Sequence, residues 1–234
     1  MTAATEILAP IRPDPLLSLR GVSKIYPTKP PLAALRGVDL DIARGEFVAV
    51  VGPSGSGKTT LLSLMGLLDT PTEGEIWING VNAAALSEAG RSRARSDQIG
   101  FVFQQFYLLP ALTARDNVAS GMLYQGIPAS QRRSKADFAL ERVGLAARAS
   151  HRPGELSGGE QQRVAIARAI AGDPAIVFAD EPTGALDQAS GRMVLDCLKS
   201  AHDAGATVVV ITHDINLAGL FERQIHVLDG EVTE

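Results

Sequence analysis

Hydrophobic and polar positions change rhythm along this chain, and the changes separate strands from helices. Apolar residues alternate in Leu16–Val22 (LLSLRGV) and Val38–Ile42 (VDLDI), which predicts half-buried strands at a sheet edge. Glu46–Gly52 (EFVAVVG), Ala175–Asp180 (AIVFAD) and Thr207–Thr212 (TVVVIT) are instead continuous apolar runs; the last two are rich in β-branched residues. Such runs suit strands covered on both faces. Ile99–Phe103 (IGFVF) is a further strand. Between these runs the period lengthens to that of a helix, from Lys58 to about Leu68 and from about Thr113 to Leu145 with a break at QGIPAS. A third amphipathic helix, QQRVAIARAIAG, is stopped by Gly172. Asn79-Gly80 after GEIWI and Asp229-Gly230 within QIHVLDGEV mark tight hairpins. Strands alternating with helices predict an α/β fold with a mainly parallel central sheet and a helical middle inserted into it.

Composition narrows this picture modestly. A chain of 234 residues with 45% hydrophobic and 21% charged positions has globular composition and can bury a sizeable core. The net charge of −4 gives no reason to expect a nucleic-acid partner. One cysteine, Cys197, excludes an internal disulfide and suits a reducing compartment; its amphipathic surroundings predict a buried structural thiol. No apolar run approaches the ~18 residues of a membrane span, and residues 1–15, with three prolines, read as a loose lead-in rather than a secretory signal. The expectation is a cytoplasmic chain. The basic stretch Gly90–Gln98 (GRSRARSDQ) is expected to be a solvated helical face.

Chemistry concentrates at the ends of the apolar runs. Gly52–Thr59 (GPSGSGKT) matches the phosphate-loop pattern in full, between a strand and a helix. Gly52, Gly55 and Gly57 let successive N–H groups turn inward as an anion nest, and Ser54, Ser56 and Thr60 complete the nucleotide contacts. Lys58 supplies a charge for the β/γ-phosphates, and the Thr59 hydroxyl a ligand for Mg²⁺. Asp180 ends a buried strand where a carboxylate can hold Mg²⁺ through water, and Glu181 follows as the group that polarises an attacking water. His213 stands at the carboxyl end of another buried strand and is read as a γ-phosphate contact. A solvated turn for the carboxylates and a capping role for His213 are the bland alternatives. His151, His202 and His226 lack such a setting and are expected to be structural or surface residues.

A second serine-glycine helix start, LSGGEQQR at Leu156–Arg163, is unexpected in a chain that already holds a phosphate loop. The order phosphate loop, VFQQ, LSGGEQQR, FADEPTGALD and ITHD resembles the nucleotide-binding subunit of ATP-binding-cassette (ABC) transporters over about Leu17–Val232. That resemblance implies a P-loop NTPase core of RecA-like type, an N-terminal antiparallel β subdomain and an inserted helical subdomain, all within one domain at 16–234. The core would be about 16–90 and 165–234, the helical part about 91–164. It implies that Tyr26 stacks on adenine and that Gln104 touches Mg²⁺, the attacking water and the membrane partner. Ser157, Gly158 and Gly159 would bind the γ-phosphate held by a second copy, and Ala185–Asp187 would run along the dimer interface. The cofactors implied are ATP and Mg²⁺. The partners are a like cassette, as homodimer or heterodimer, and a separate permease at the inner face of the membrane.

Longer stretches, such as IGFVFQQFYLLPALTARDNV, are similar to the macrolide-exporter and lipoprotein-release branch. The function implied is ATP hydrolysis that drives export, lipoprotein extraction or mechanical signalling. An importer cassette is the runner-up. A soluble DNA-maintenance ATPase would need coiled coils or zinc modules between the motifs, a translation factor a second cassette, and a binder that does not hydrolyse would not need Glu181 and His213. Phe221 departs from the small residue the resemblance implies there.

Overall fold

The computed structural model describes residues 15–233, so the lead-in lies outside the described residues apart from Pro15. Two sheets organise the chain. Strands β1 (Leu17–Tyr26), β2 (Leu32–Ile42), β4 (Glu73–Ile78) and β5 (Val81–Asn82) form an antiparallel sheet in the order β2-β1-β4-β5. Strands β3 (Phe47–Val51), β6 (Ile99–Phe103), β7 (Ile176–Asp180), β8 (Thr207–Thr212), β9 (Arg223–Leu228) and β10 (Glu231–Thr233) form the second, ordered β10-β9-β3-β8-β7-β6. All its neighbours run parallel except the antiparallel edge pair β9–β10.

The continuous apolar runs have the predicted cause. Val48, Val50, Ile176, Phe178, Val209 and Ile211 face one core, shared with the antiparallel sheet and α1 (Lys58–Met65). Ala49, Val51, Val177, Ala179, Val208 and Val210 face the other, built with α3 (Ala114–Ser120), α4 (Ala129–Arg142), α5 (Gly158–Ile170) and α6 (Gln188–Asp203). Both faces of the large sheet are therefore dry, and each of these larger side chains contributes roughly 1.5–3 kcal/mol by leaving water. Both hairpins form where expected: Asn79 and Gly80 have φ of 51° and 77°, Asp229 and Gly230 50° and 81°, the left-handed pair a two-residue turn requires.

Several expectations are corrected. Strand β1 is not at an edge, because β4 pairs with its free side. Helix α1 stops at Met65 rather than Leu68: Gly66 follows, Leu67 turns left-handed at φ 55°, and the N–H groups of Leu68 and Asp69 both return to the Ser63 carbonyl. The 91–164 span holds strand β6 of the large sheet as well as helices. Its basic stretch is helix α2 (Glu88–Gln98), which buries no residue and is capped by Ser87. Cys197 is only half-buried on α6, and burial pushes its thiol up. Phe221 fills core space, its ring 4.4 Å from Phe47, while His202 stacks on the same Phe47 at 5.2 Å. His226 is exposed and His151 half-buried.

Candidate nucleotide site

Strand register places the site. Val51 of β3 pairs with Thr212 of β8, Asp180 of β7 with Ile211 of β8, and Phe103 of β6 with Asp180. The residue after each strand end is then Gly52, His213, Glu181 and Gln104, in a row across the carboxyl edge of a parallel sheet. With strands ~4.8 Å apart, the row is on the order of 15 Å long. Residues far apart in sequence become neighbours only through that pairing.

The phosphate loop is shaped by close approach. A Cβ on Gly52 (φ 158°) would lie 2.2 Å from the Val227 carbonyl oxygen, and one on Gly57 (φ 111°) 2.6 Å from that of Ala34. Gly57 stands at the N-cap of α1 without a side-chain cap, and the first turn carries no acidic residue. By contrast α2, α3, α5 and α6 are capped by Ser87, Thr113, Ser157 and Asp187. The N–H groups at the start of α1 are thus left for an anion, with the helix dipole behind them. Lys58 is nearly buried, and its Nζ donates to the Gly52 and Pro53 carbonyls at 2.8 Å. The buried Ser56 hydroxyl has no hydrogen-bond partner among the described residues, and a phosphate oxygen is a fitting acceptor for it. Ser54, Gly55 and Thr59 are exposed beside it, and Thr60 is half-buried.

A cavity of about 500 Å³ is lined by Tyr26, Leu32, Gly55, Lys58, Thr59 and Thr60 among others. The Tyr26 hydroxyl lies 3.3 Å from Asp69 Oδ2, and Lys24 Nζ, 5.1 Å from the Tyr26 ring centre, donates to Asp69 Oδ1 at 2.7 Å. Despite the desolvation of Asp69, those contacts and the Thr70 N–H hold its carboxyl below the usual range. Leu32 in the cavity wall, and Lys24 and Asp69 against Tyr26, were missed by the sequence reading, because nothing in their local pattern sets them apart.

At the other end of the row, the Glu181 carboxylate accepts from Thr212 Oγ1 (3.1 Å) and the His213 N–H (2.9 Å), and lies 2.6 Å from His213 Nδ1. Glu181 itself adopts a left-handed φ of 45°, unusual for a non-glycine residue, and its N–H donates to the Ile211 carbonyl at 2.9 Å. Burial pushes the neighbouring Asp180 carboxyl up, the charge of Glu181 adds to the shift, and Lys58 opposes it. Gln104 is exposed, and a Cβ on Gly184 would lie 2.8 Å from its Nε2. Thr212 was also missed; the signal was a polar residue closing an otherwise apolar run.

The second serine-glycine motif lies apart from this cavity. Ser157 is exposed and opens α5 with a reciprocal cap: Glu160 N donates to Ser157 Oγ (3.3 Å), and Ser157 N to Glu160 Oε2 (2.8 Å). The two glycines differ. A Cβ on Gly159 would meet Ser190 Cβ and Oγ at 2.9 Å, so close packing of α5 on α6 requires glycine there, whereas one on Gly158 would find ordinary contacts at 3.5 Å or more. Gly159→Ala is expected to cost about 1–3 kcal/mol of stability, and Gly158→Ala close to nothing. Thermal melting of the two variants checks this: equal melting temperatures would refute it. Asp187 caps α6, accepting from Ser190 N (2.9 Å) and Ser190 Oγ (2.8 Å), and those bonds hold its carboxyl low.

The ABC transporter family matches residues 35–184. Among curated relatives, an uncharacterised ABC transporter ATP-binding protein, MJ0796 of Methanocaldococcus jannaschii, is 47% identical over 223 residues, covering 93% of this chain and 95% of the relative. A macrolide export ATP-binding/permease protein, MacB of Paracoccus denitrificans, is 47% identical over 219 residues, covering 93% of this chain. This chain spans 33% of that relative's length. Among solved structures, a dimeric post-hydrolysis state of the MJ0796 cassette bound to ADP and phosphate superposes with a TM-score of 0.84 at 45% identity, covering 93% and 97% of the two chains.

Proposed function

The chain belongs to the ABC transporter family of ATP-binding ATPases, and from that premise we propose that two cassettes close around two ATP molecules and drive a separate membrane permease. One observation carries the paired arrangement. The cavity beside the phosphate loop is walled by Tyr26, the loop and the Asp229-Gly230 turn, whereas Ser157 and Gly158 do not line it. The exposed start of α5 is therefore free to meet the phosphate held by another copy. The solved MJ0796 cassettes are described as dimeric.

Within each composite site, Tyr26 stacks on the base, the loop amides and Lys58 hold the β- and γ-phosphates, and Ser157 to Gly159 of the second copy close the far side. Thr59, Gln104 and Asp180 offer an all-oxygen donor set, and a cation there would relieve the repulsion between Asp180 and Glu181. Bound at those residues, Mg²⁺ would neutralise phosphate charge. Glu181 accepts a proton from water as the water oxygen bonds to the γ-phosphorus. The bond from that phosphorus to the bridging oxygen of ADP breaks, and inorganic phosphate leaves. Thr212 and the backbone N–H of His213 hold the carboxylate in place, and the His213 side chain faces the γ-phosphate.

Among the described residues no helix is long and apolar enough to cross a membrane, so the transported load would be handled by the permease. Relatives named for macrolide and pyoverdine export favour export, or mechanical work on the outer side, over import. The membrane contact would lie around Gln104 and the helices that follow it. Detergent extraction of native membranes tests this reading. The tagged chain is expected to copurify with a multi-spanning subunit, and reconstitution with that subunit should change the ATPase rate. Recovery of the cassette alone, from membranes and cytosol alike, would overturn the permease assignment.

A further inference from the structure

Gln162 is a polar side chain fully buried on α5. Its Nε2 donates to two carbonyls, Phe103 at 3.2 Å and Pro182 at 2.7 Å. Phe103 immediately precedes Gln104, and Pro182 immediately follows Glu181. One amide group thus ties together the two loops that carry them. Farther along α5, Arg168 donates to the Phe106 carbonyl (2.9 Å) and the Tyr107 carbonyl (2.6 Å), so Gln104 is flanked on both sides by backbone anchored to the same helix. Burial lowers the Arg168 guanidinium's affinity for its proton, though not enough to discharge it. The loop after Pro182 also touches Gln104 directly, since Gly184 leaves room for its amide by lacking a Cβ.

We propose that Gln162 is a positioning residue for hydrolysis: it fixes Gln104 and Glu181 relative to each other and to α5, the helix whose first residues meet the second copy. A leucine or methionine would fill the same space, and a dry apolar contact is the ordinary solution at a fully buried helix position. A buried amide whose Oε1 has no protein partner among the described residues is a costly choice there, so packing alone does not account for it. What the amide adds is direction, because two N–H groups on one nitrogen set the separation of two carbonyls. When the second copy presses on Ser157, the displacement of α5 reaches both loops through Gln162. This rests on the reading that Gln104 and Glu181 serve hydrolysis.

The test is Gln162→Met in the full chain, which keeps volume and removes both donors. The expected result is a kcat for ATP hydrolysis lower by on the order of tenfold or more, since small misplacements in a site are expensive, with KM and nucleotide affinity within about twofold. In a Gln104→Ala background the same change should cost little further, because the two residues act as a unit. Gly184→Ala, at a surface site that does not threaten folding, should lower kcat with an unchanged melting temperature. A normal kcat in folded Gln162→Met, or a full additive loss on top of Gln104→Ala, would overturn the inference. So would a melting temperature that falls in step with kcat if Gly184→Ala is also fully active. If Glu181→Gln leaves hydrolysis intact, the underlying reading of the site fails instead.

Discussion

Replacing Glu181 by glutamine is expected to slow ATP hydrolysis by a factor of roughly 10² to 10⁴, the usual share of a positioned general base. The chain should then collect as an ATP-bound dimer. The geometry makes this substitution a clean one. Glu181 Oε1 accepts from the His213 N–H and faces Nδ1, and the glutamine carbonyl oxygen can take its place. Thr212 Oγ1, 3.1 Å from Oε2, can rotate to accept from the new amide, so the fold and the nucleotide cavity should be unaffected. What disappears is the ability to take a proton. With the γ-phosphate retained, the contacts between the two copies persist, and light scattering with ATP should report twice the monomer mass. Phosphate release at the wild-type rate, or a monomer at high protein and ATP concentration, would exclude Glu181 from this role.

A bulky residue at Ser157 is expected to abolish hydrolysis while leaving ATP binding nearly intact. Ser157→Phe removes the Oγ cap on α5, a loss of about 1 kcal/mol, small for a helix whose Val164, Ile166 and Ala167 are fully buried. Since Ser157 does not line the phosphate-loop cavity of its own chain, a nucleotide analogue should bind as in the wild type. A sharper form of the test mixes two dead variants. Lys58→Ala destroys the loop half of a site and Ser157→Phe the opposing half. In a mixed dimer one composite site combines an intact loop with an intact serine, so mixing should restore measurable hydrolysis. No recovery from the mixture, in dimers shown to form, would mean that loop and serine act within one chain.

The sites legible in the sequence were those whose residues do their work beside one another in the chain. The phosphate loop carries its own explanation: glycines where the backbone turns, a lysine, a hydroxyl, then a helix. The hairpins at Asn79-Gly80 and Asp229-Gly230 were equally local, because the left-handed φ they need is written in those residue types. Asp180 and Glu181 were visible because a run of buried residues ends abruptly in two charges. Ser157 stood out as a motif, but its separation from the phosphate-loop cavity is a fact of three dimensions. Gly158 and Gly159, adjacent and identical in sequence, divide only in space, one against Ser190 and one with room for a side chain.

Local patterning was enough to place the strands, the phosphate loop and the chemistry available at each strand end, because hydrophobic period and backbone turn preferences act over a few residues. Tertiary structure alone decided which strand lies beside which. Register across β3, β8, β7 and β6 set Gly52, His213, Glu181 and Gln104 in one row. It also turned Gln162 from an ordinary helical residue into the link between two loops, and moved β1 from an edge to the interior of its sheet. Pairing and burial between distant segments depend on how whole faces fit together, and no short stretch of this chain contains that information.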